Sequence, residues 1–373
     1  MDAAPPAVAD APATAQSLRH EDRIDLHLHT LASDGHWTPA ALVDHLAAND
    51  FRVVAVCDHD TQRSVAEVTR RAAKRNIRVI PGVEVTTRWG GRQWHLLVYG
   101  IAPNRSDEAS RAFRSVLADL DGRLMELAED ARARIERSGR PLPSLEEVAA
   151  GRPLWPYHVL CSAIREGHAK NLKTAAELVV ELGGGFSADE PLERVVAAAH
   201  EAGGLCVMAH PGRSDNVGIM TEEDLDRMLA EIPLDGLEAH YRSYTDEQTA
   251  LYRRLAEERG LLISAGSDSH APKQPVDPRP WRAAWAAALL DRFGVAVDPV
   301  PDGEPTWAAG MDPHAVPPKS DADAAPAPAP DLAPAESVGP DGIPVEIDEQ
   351  SGQAEPIGEQ LMEAEADRER AEA

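Results

Sequence analysis

Histidines and acidic residues recur at six places in this chain of 373 residues, in groupings suited to holding metal ions. His27-Leu28-His29 is followed by Asp34. Asp58-His59-Asp60, Glu84, His95, His210 in Ala-His-Pro, and Asp268-Ser269-His270 complete the set. Two histidines at i and i+2 on a strand point to the same side, so His27 and His29 can bind one ion together. Asp34, five residues on, can serve a neighbouring ion. A single such pair is weak evidence. Several groupings placed where apolar runs stop are strong evidence, because imidazoles and carboxylates converging on one mouth describe a multi-metal site. Asp58 and Asp60 read as supporting or helix-capping groups rather than ligands.

The elements that must position these residues are legible as apolar runs. Ile24 to His29 alternates and reads as a first strand. Val53 to Val56 precedes Asp58-His59, Ile77 to Ile80 precedes Glu84, Leu205 to Met208 precedes His210, and Leu261 to Ile263 precedes Asp268. Short apolar runs ending in polar residues predict buried parallel strands with functional groups at their C-terminal ends. In a β/α barrel that end carries the active site. Helices are predicted at 38–48, with Thr38 as cap and Pro39 in the first turn, and at 62–75, 191–202, 221–230 and 245–259, the last stopped by Gly260. Strands are expected at 94–99, 235–239 and 261–265, and a last helix over Trp281 to Phe293. The strand–helix alternation predicts parallel sheet throughout. The fold class is therefore α/β, a distorted β/α barrel of about seven strands.

Residues 105–190 break this rhythm. The stretch 106–138 predicts one or two long charged helices, and 141–190 a small helical module. The expected organisation is a disordered lead over 1–22, a first barrel part over 23–104, and a helical insertion over 105–190 that caps the mouth. A second barrel part follows over 191–298, then an acidic Pro/Ala-rich disordered tail over 299–373, in which 358–372 could form a charged helix.

Composition narrows the function classes. A hydrophobic share of 43% permits a sizeable core. The net charge is −26, and residues 319–373 hold about 15 acidic against about 3 basic residues, so roughly half of the imbalance lies in the tail. The remainder is still acidic, which argues against a broad grip on long nucleic acid. Cys57, Cys161 and Cys206 are widely spaced and read as reduced buried thiols of a cytoplasmic protein. No run of 18 apolar residues exists to span a membrane, and the Ala/Pro-rich start, lacking a basic region and an apolar core, does not read as a signal peptide.

The motifs Asp25-Leu-His-Leu-His-Thr30 with Ser33-Asp34-Gly35, Asp58-His-Asp-Thr61, Pro81-Gly-Val-Glu84, Ala209-His-Pro211 and Gly266-Ser-Asp-Ser-His270 resemble those of the PHP (polymerase and histidinol phosphatase) family of metal-dependent phosphoesterases. The resemblance covers roughly 23–275. It is strongest to the branch of nucleoside 3′,5′-bisphosphate phosphatases and 5′→3′ exoribonucleases on short RNA, which also carries a helical insertion. Cys57 stands where Thr is common, and Ser269-His270-Ala271 where Phe-His-Gly is common; neither removes a ligand.

The resemblance implies a trinuclear site. His27, His29, Glu84 and Asp268 would hold one ion, Asp34, His59 and His270 a second, and Glu84, His95 and His210 a third. Manganese is favoured, with zinc or iron compatible with the same donors. Asp34, His59, Glu84 and Asp268 would carry the chemistry, in which divalent cations lower the pKa of a water to supply hydroxide for in-line attack on phosphorus. Arg152, His158, Arg213 and His240 are candidate substrate contacts, with Arg165 and Arg242 less favoured. His20, His36, His45, His168, His200 and His314 read as surface or packing residues. The expected partner is a small phosphorylated nucleotide or short oligonucleotide. A histidinol-phosphate or other sugar-phosphate phosphatase is the competing enzyme, and a non-catalytic metal-binding scaffold the alternative of another class. Protein partners and oligomeric state are open at this level.

Overall fold

The computed structural model describes residues 17–103, 105–213 and 219–311. The disorder expected over 1–16 and 312–373, the helix expected at 358–372, and His314 lie outside the described residues.

The first strand, β1 (Arg23–Leu28), buries both of its faces: Ile24, Leu26 and Leu28 on one, Asp25 and His27 on the other. Helix α1 (Pro39–Ala48) starts as expected, with the Thr38 hydroxyl accepting from the Ala41 N–H at 3.1 Å. Strand β2 (Phe51–Val56) pairs in parallel with β1, and helix α2 (Val65–Ala73) follows.

The next unit departs from the expected parallel order. Residues Arg78–Trp89 form one long strand, β3, and Arg92–Tyr99 form β4, which runs antiparallel to it. The turn between them is Gly90-Gly91, with φ of 60° and 78°. Two residues of positive φ make the tight hairpin turn whose twist matches paired antiparallel strands, and this forces β4 to reverse. Glu84 lies inside β3, not at a strand end, while His95 lies on β4 as expected.

Helix α3 (Arg111–Arg137) is a single 27-residue helix. Short helices α4 (Leu145–Ala149), α5 (Pro156–Arg165) and α6 (Leu172–Glu181) follow, then a two-residue strand β5 (Glu190–Pro191) and helix α7 (Leu192–Glu201). The barrel resumes with β6 (Leu205–Met208), α8 (Glu222–Glu231), β7 (Gly236–Tyr241), α9 (Asp246–Arg259) and β8 (Leu262–Gly266). Gly260 ends α9 in the left-handed conformation, φ 67°. The predicted last helix is split. Trp281–Arg282 form an edge strand, β9, antiparallel to β1, and a 3₁₀ turn (Ala283–Ala286) then leads into α10 (Ala287–Arg292).

The sheet order is β8-β7-β6-β4-β3-β2-β1-β9. Its far edges meet: Asp268 N–H donates to the His27 carbonyl at 2.8 Å and His29 N–H to the Ser269 carbonyl at 3.0 Å. Seven long strands thus form a nearly closed barrel. Ordered packing runs beyond the expected limits of 23 and 298: Leu18 bridges Val297, and Val300, Trp307 and Met311 pack on the core beneath β1. No helix of the described residues is long and apolar enough to cross a membrane.

Candidate metal centre

Closure of the barrel brings all nine expected ligand residues together at one end. Glu84 stands at the centre. Its Oε2 lies 2.9 Å from His27 Nε2, 3.1 Å from His29 Nε2 and 3.5 Å from His59 Nε2. Its Oε1 lies 3.1 Å from both His95 Nδ1 and His210 Nε2. Asp268 Oδ1 is 3.0 Å from His29 Nε2, and Asp34 Oδ2 is 3.3 Å from His270 Nε2.

The donor atoms fall into three groups compact enough to hold an ion: His27, His29, Glu84 and Asp268; His29, Asp34, His59 and His270; and His59, Glu84 and His95. The first matches the expected set. The second adds His29, and the third adds His59 while His210 touches the same Glu84 oxygen.

Metal ions fit this donor set on two grounds. Both Asp34 oxygens, His29 Nδ1, His59 Nε2, His270 Nε2 and Asp268 Oδ1 are buried and make no hydrogen bond, which folded proteins rarely allow without a ligand. His27 Nε2 and His29 Nε2 also face each other at 3.1 Å, a repulsive arrangement unless a cation or proton lies between them and the carboxylates. The electrostatics agree. Burial alone would raise Glu84 and Asp268. The surrounding His27, His59 and His95, and for Asp268 the Arg242 guanidinium and His27, hold them well below the usual carboxylate range. Burial would lower His29, yet Asp268 and Glu84 push it up to about 10. Burial pushes His59 down to about 3. The cluster is a trap for positive charge.

Part of the supporting layer, Asp58 and Asp60, was read from the sequence; the rest was not. Glu238 on β7 lies 3.0 Å from His27 Nδ1 and accepts the His210 N–H at 2.8 Å. A carboxylate on Nδ1 turns the His27 Nε2 lone pair toward the centre. The Tyr241 hydroxyl donates to Asp268 Oδ2 at 2.8 Å, and the buried Arg242 pairs with the same oxygen. The only sequence signal was an acid in an otherwise apolar run. Asp25 accepts from Ser267 N–H and Arg279 N–H at 2.9 Å each and ties β1 to the β8 loop. Asp58 accepts from Thr30, Ser33 and Ser64, and Asp60 from Thr86 N–H at 2.8 Å, so both shape loops around the ligands.

The expected substrate contacts fare differently. Arg213 reaches the cluster, 3.7 Å from Asp268 Oδ2. Arg152 instead spends its nitrogens on the carbonyls of Leu31, Val148 and Ala149. His158 is buried, accepts the Trp155 N–H at 3.1 Å as part of the α5 cap, and is pushed down to about 3 by burial and by Arg152. Both border a cleft next to the cluster, not the cluster itself. His240 does not line the mouth. A register shift between Glu238 and His240 sends its ring to the outer face of β7. There it stacks on Trp285 with ring centroids 4.5 Å apart and receives the Arg253 guanidinium at 2.9 Å. Arg165, on α5, pairs with Glu147 at 2.8 Å. Of the background histidines, His36 meets the Tyr157 hydroxyl at 2.7 Å, and His45 packs on Trp37.

The PHP domain family matches residues 25–173 of this chain. Over 263 residues the chain is 29% identical to the 3′,5′-nucleoside bisphosphate phosphatase of Chromobacterium violaceum, covering 67% of this chain and 87% of that protein. It is 30% identical to the 5′-3′ exoribonuclease of Haemophilus influenzae, covering 67% and 90%. A crystal structure from Bifidobacterium adolescentis, 24% identical, shares the fold with a TM-score of 0.60 over 74% of this chain and 97% of that one. With its ligand motifs gathered at one barrel end, the chain belongs to the PHP-domain family of metal-dependent phosphoesterases.

Proposed function

We propose that this protein hydrolyses phosphate esters of nucleotides, either a nucleoside 3′,5′-bisphosphate or a short 5′-phosphorylated oligonucleotide. The observation that carries this reading is the buried nine-residue cluster with its unsatisfied donor atoms, opening into a cleft walled by aromatic residues of the 105–190 segment. The similarity to the C. violaceum phosphatase and the H. influenzae exoribonuclease supports it.

His27, His29, Glu84 and Asp268 would hold one cation. Asp34, His59 and His270 would hold a second, and His95 and His210, with Glu84 shared, a third. Mixed imidazole and carboxylate donors suit manganese, with zinc or iron alternatives. When bound, such ions lower the pKa of a water toward neutrality and neutralise phosphoryl oxygens. The remaining work falls to the chain. Glu238 orients His27, and Tyr241 and Arg242 orient Asp268. Arg213 presents positive charge beside the cluster for a phosphate.

A small substrate also suits the acidic balance of the chain, which does not favour long nucleic acid. Three buried free cysteines support a cytoplasmic setting. Phosphate release by manganese-loaded protein would test the reading, across adenosine 3′,5′-bisphosphate, a 5′-phosphorylated RNA trimer, mononucleotides and histidinol phosphate. Preference for either of the first two is expected. Preference for histidinol phosphate would overturn the substrate assignment and leave the metal centre standing.

A further inference from the structure

A cleft open to solvent lies above the cluster. One wall is the cluster itself, through Asp34, His59 and His95. The opposite wall comes from the 105–190 segment and is apolar, with Trp155, Tyr157 and Phe186. An aromatic wall gives nothing to a phosphate. It suits a flat, polarisable group attached to one.

The aromatic wall is braced. The Trp155 indole N–H donates to Asp121 Oδ1 at 2.8 Å. Arg63 pairs with the same oxygen at 2.8 Å and lies 5.2 Å from the Trp155 ring centroid. Arg63 borders the neighbouring cleft and not this one, so it props Trp155 from behind. The Tyr157 hydroxyl is held by His36 at 2.7 Å. A rigid platform is what stacking needs, because ordering the rings on binding would consume the gain.

Gln93 is the second, independent observation. It lies two residues before His95 on β4 and so shares that ligand's face. The residue is only 5% exposed and lines the same cleft. A primary amide has two donors and an acceptor. It can match the edge of a heterocycle.

We infer that this cleft is a nucleobase slot: Trp155, Tyr157 and Phe186 stack the base while the Gln93 amide hydrogen-bonds its edge, placing the sugar-linked phosphate over the metal cluster. This rests on the nucleotide reading above and adds how the base is held.

The test compares adenosine 3′,5′-bisphosphate with base-free ribose 5-phosphate on the manganese-loaded full chain. Phe186→Ala should raise KM for the nucleotide roughly 10- to 100-fold, the scale of one base–aromatic stack, with a smaller change in kcat. The loss on ribose 5-phosphate should be at least about tenfold smaller. Phe186→Tyr, which keeps a stacking ring, should restore most of the nucleotide KM, separating a lost contact from a damaged fold. Gln93→Leu should cost about 3- to 10-fold and change the ratio of adenosine to uridine substrates. Saturation-transfer NMR on adenosine 5′-monophosphate gives a readout apart from turnover: the purine protons should receive saturation in the parent and lose it in Phe186→Ala. Equal losses on both substrates, or purine signals unchanged in Phe186→Ala, would overturn the slot. A parent protein that prefers ribose 5-phosphate would instead overturn the nucleotide reading itself.

Discussion

The metal-bearing rim of the barrel and the segment facing it are built in opposite ways. The rim draws its ligands from residue 27 to residue 270, across six stretches of chain, and exists only when β8 closes on β1. Its interior is polar and charged, and Glu238, Tyr241 and Arg242 brace His27 and Asp268. The 105–190 segment is local and apolar. Ala128, Ala131, Ile135, Leu160, Val179 and Phe186 pack within one cluster. Helix α3 joins the two: its first half, with Phe113, Val116 and Leu120, packs on the barrel, and its second half on the segment's own cluster. The chemistry is therefore vested in long-range register, and the pocket wall in a unit that packs largely on itself.

This contrast can be broken at specific places. The largest effect is expected at the rim. Asp268→Asn removes a carboxylate shared by three histidines and Arg242. Loss of metal-derived transition-state stabilisation of several kcal/mol should lower phosphate release by roughly 10³-fold. Phosphate assays with circular dichroism would check that activity falls while the fold stays.

Glu238→Gln should act one step further out. Weakening the group that orients His27 and caps the His210 N–H should reduce metal affinity about 10- to 100-fold. Metal titration followed by elemental analysis reads this directly, and unchanged affinity would show that His27 needs no orientation from β7.

Leu160→Ala sharpens the other side of the contrast. Truncating a fully buried leucine should cost about 2–5 kcal/mol, drawn from the segment's cluster. Hydrogen exchange should quicken in α5 and α6, with metal content nearly retained. Equal quickening in β1 and β8 would show that rim and segment unfold as one unit.

The smallest effect lies at the end of α7, where His200 meets Asp235. The hydrogen bond to Asp235, 2.7 Å away, raises the pKa of His200, and burial only partly opposes this. A His raised in the folded state stabilises most below its unfolded value of 6.5. That stabilisation fades as pH rises through the folded value. The melting difference between the parent and His200→Gln should thus be larger at pH 6 than at pH 9, and a difference that grows with pH would contradict it.

Much of this was legible before the fold was seen, and for identifiable reasons. His27, His29, Asp58-His59, His210 and Asp268-Ser269-His270 stand where apolar runs stop, so local pattern alone marks them. Thr38 and Gly260 mark helix ends by local hydrogen bonding and backbone freedom, and both were readable. His95 was placed on the right strand, but Glu84 was read at a strand end and lies inside β3, and the direction of β4 was missed, because the Gly90-Gly91 turn reverses it and two strands read as one parallel series. Glu238 and His240 show the limit most clearly. Regular alternation puts them on one face, and a one-residue bulge separates them, sending Glu238 inward to His27 and His240 outward to Trp285.

Residue type and short spacing were enough to mark the candidate donors, imidazoles and carboxylates able to bind metal ions, and the strand ends that carry most of them. Those properties are local, set by side-chain functional groups and by periods of two residues. Which donors share an oxygen, that Arg213 and Arg242 reach the cluster while Arg152 is spent on carbonyls, and which aromatic rings wall the cleft were decided only by tertiary structure. Each depends on strand register, on a hairpin and a bulge, and on the closure of β8 against β1, contacts between residues more than two hundred positions apart whose partners no local pattern names.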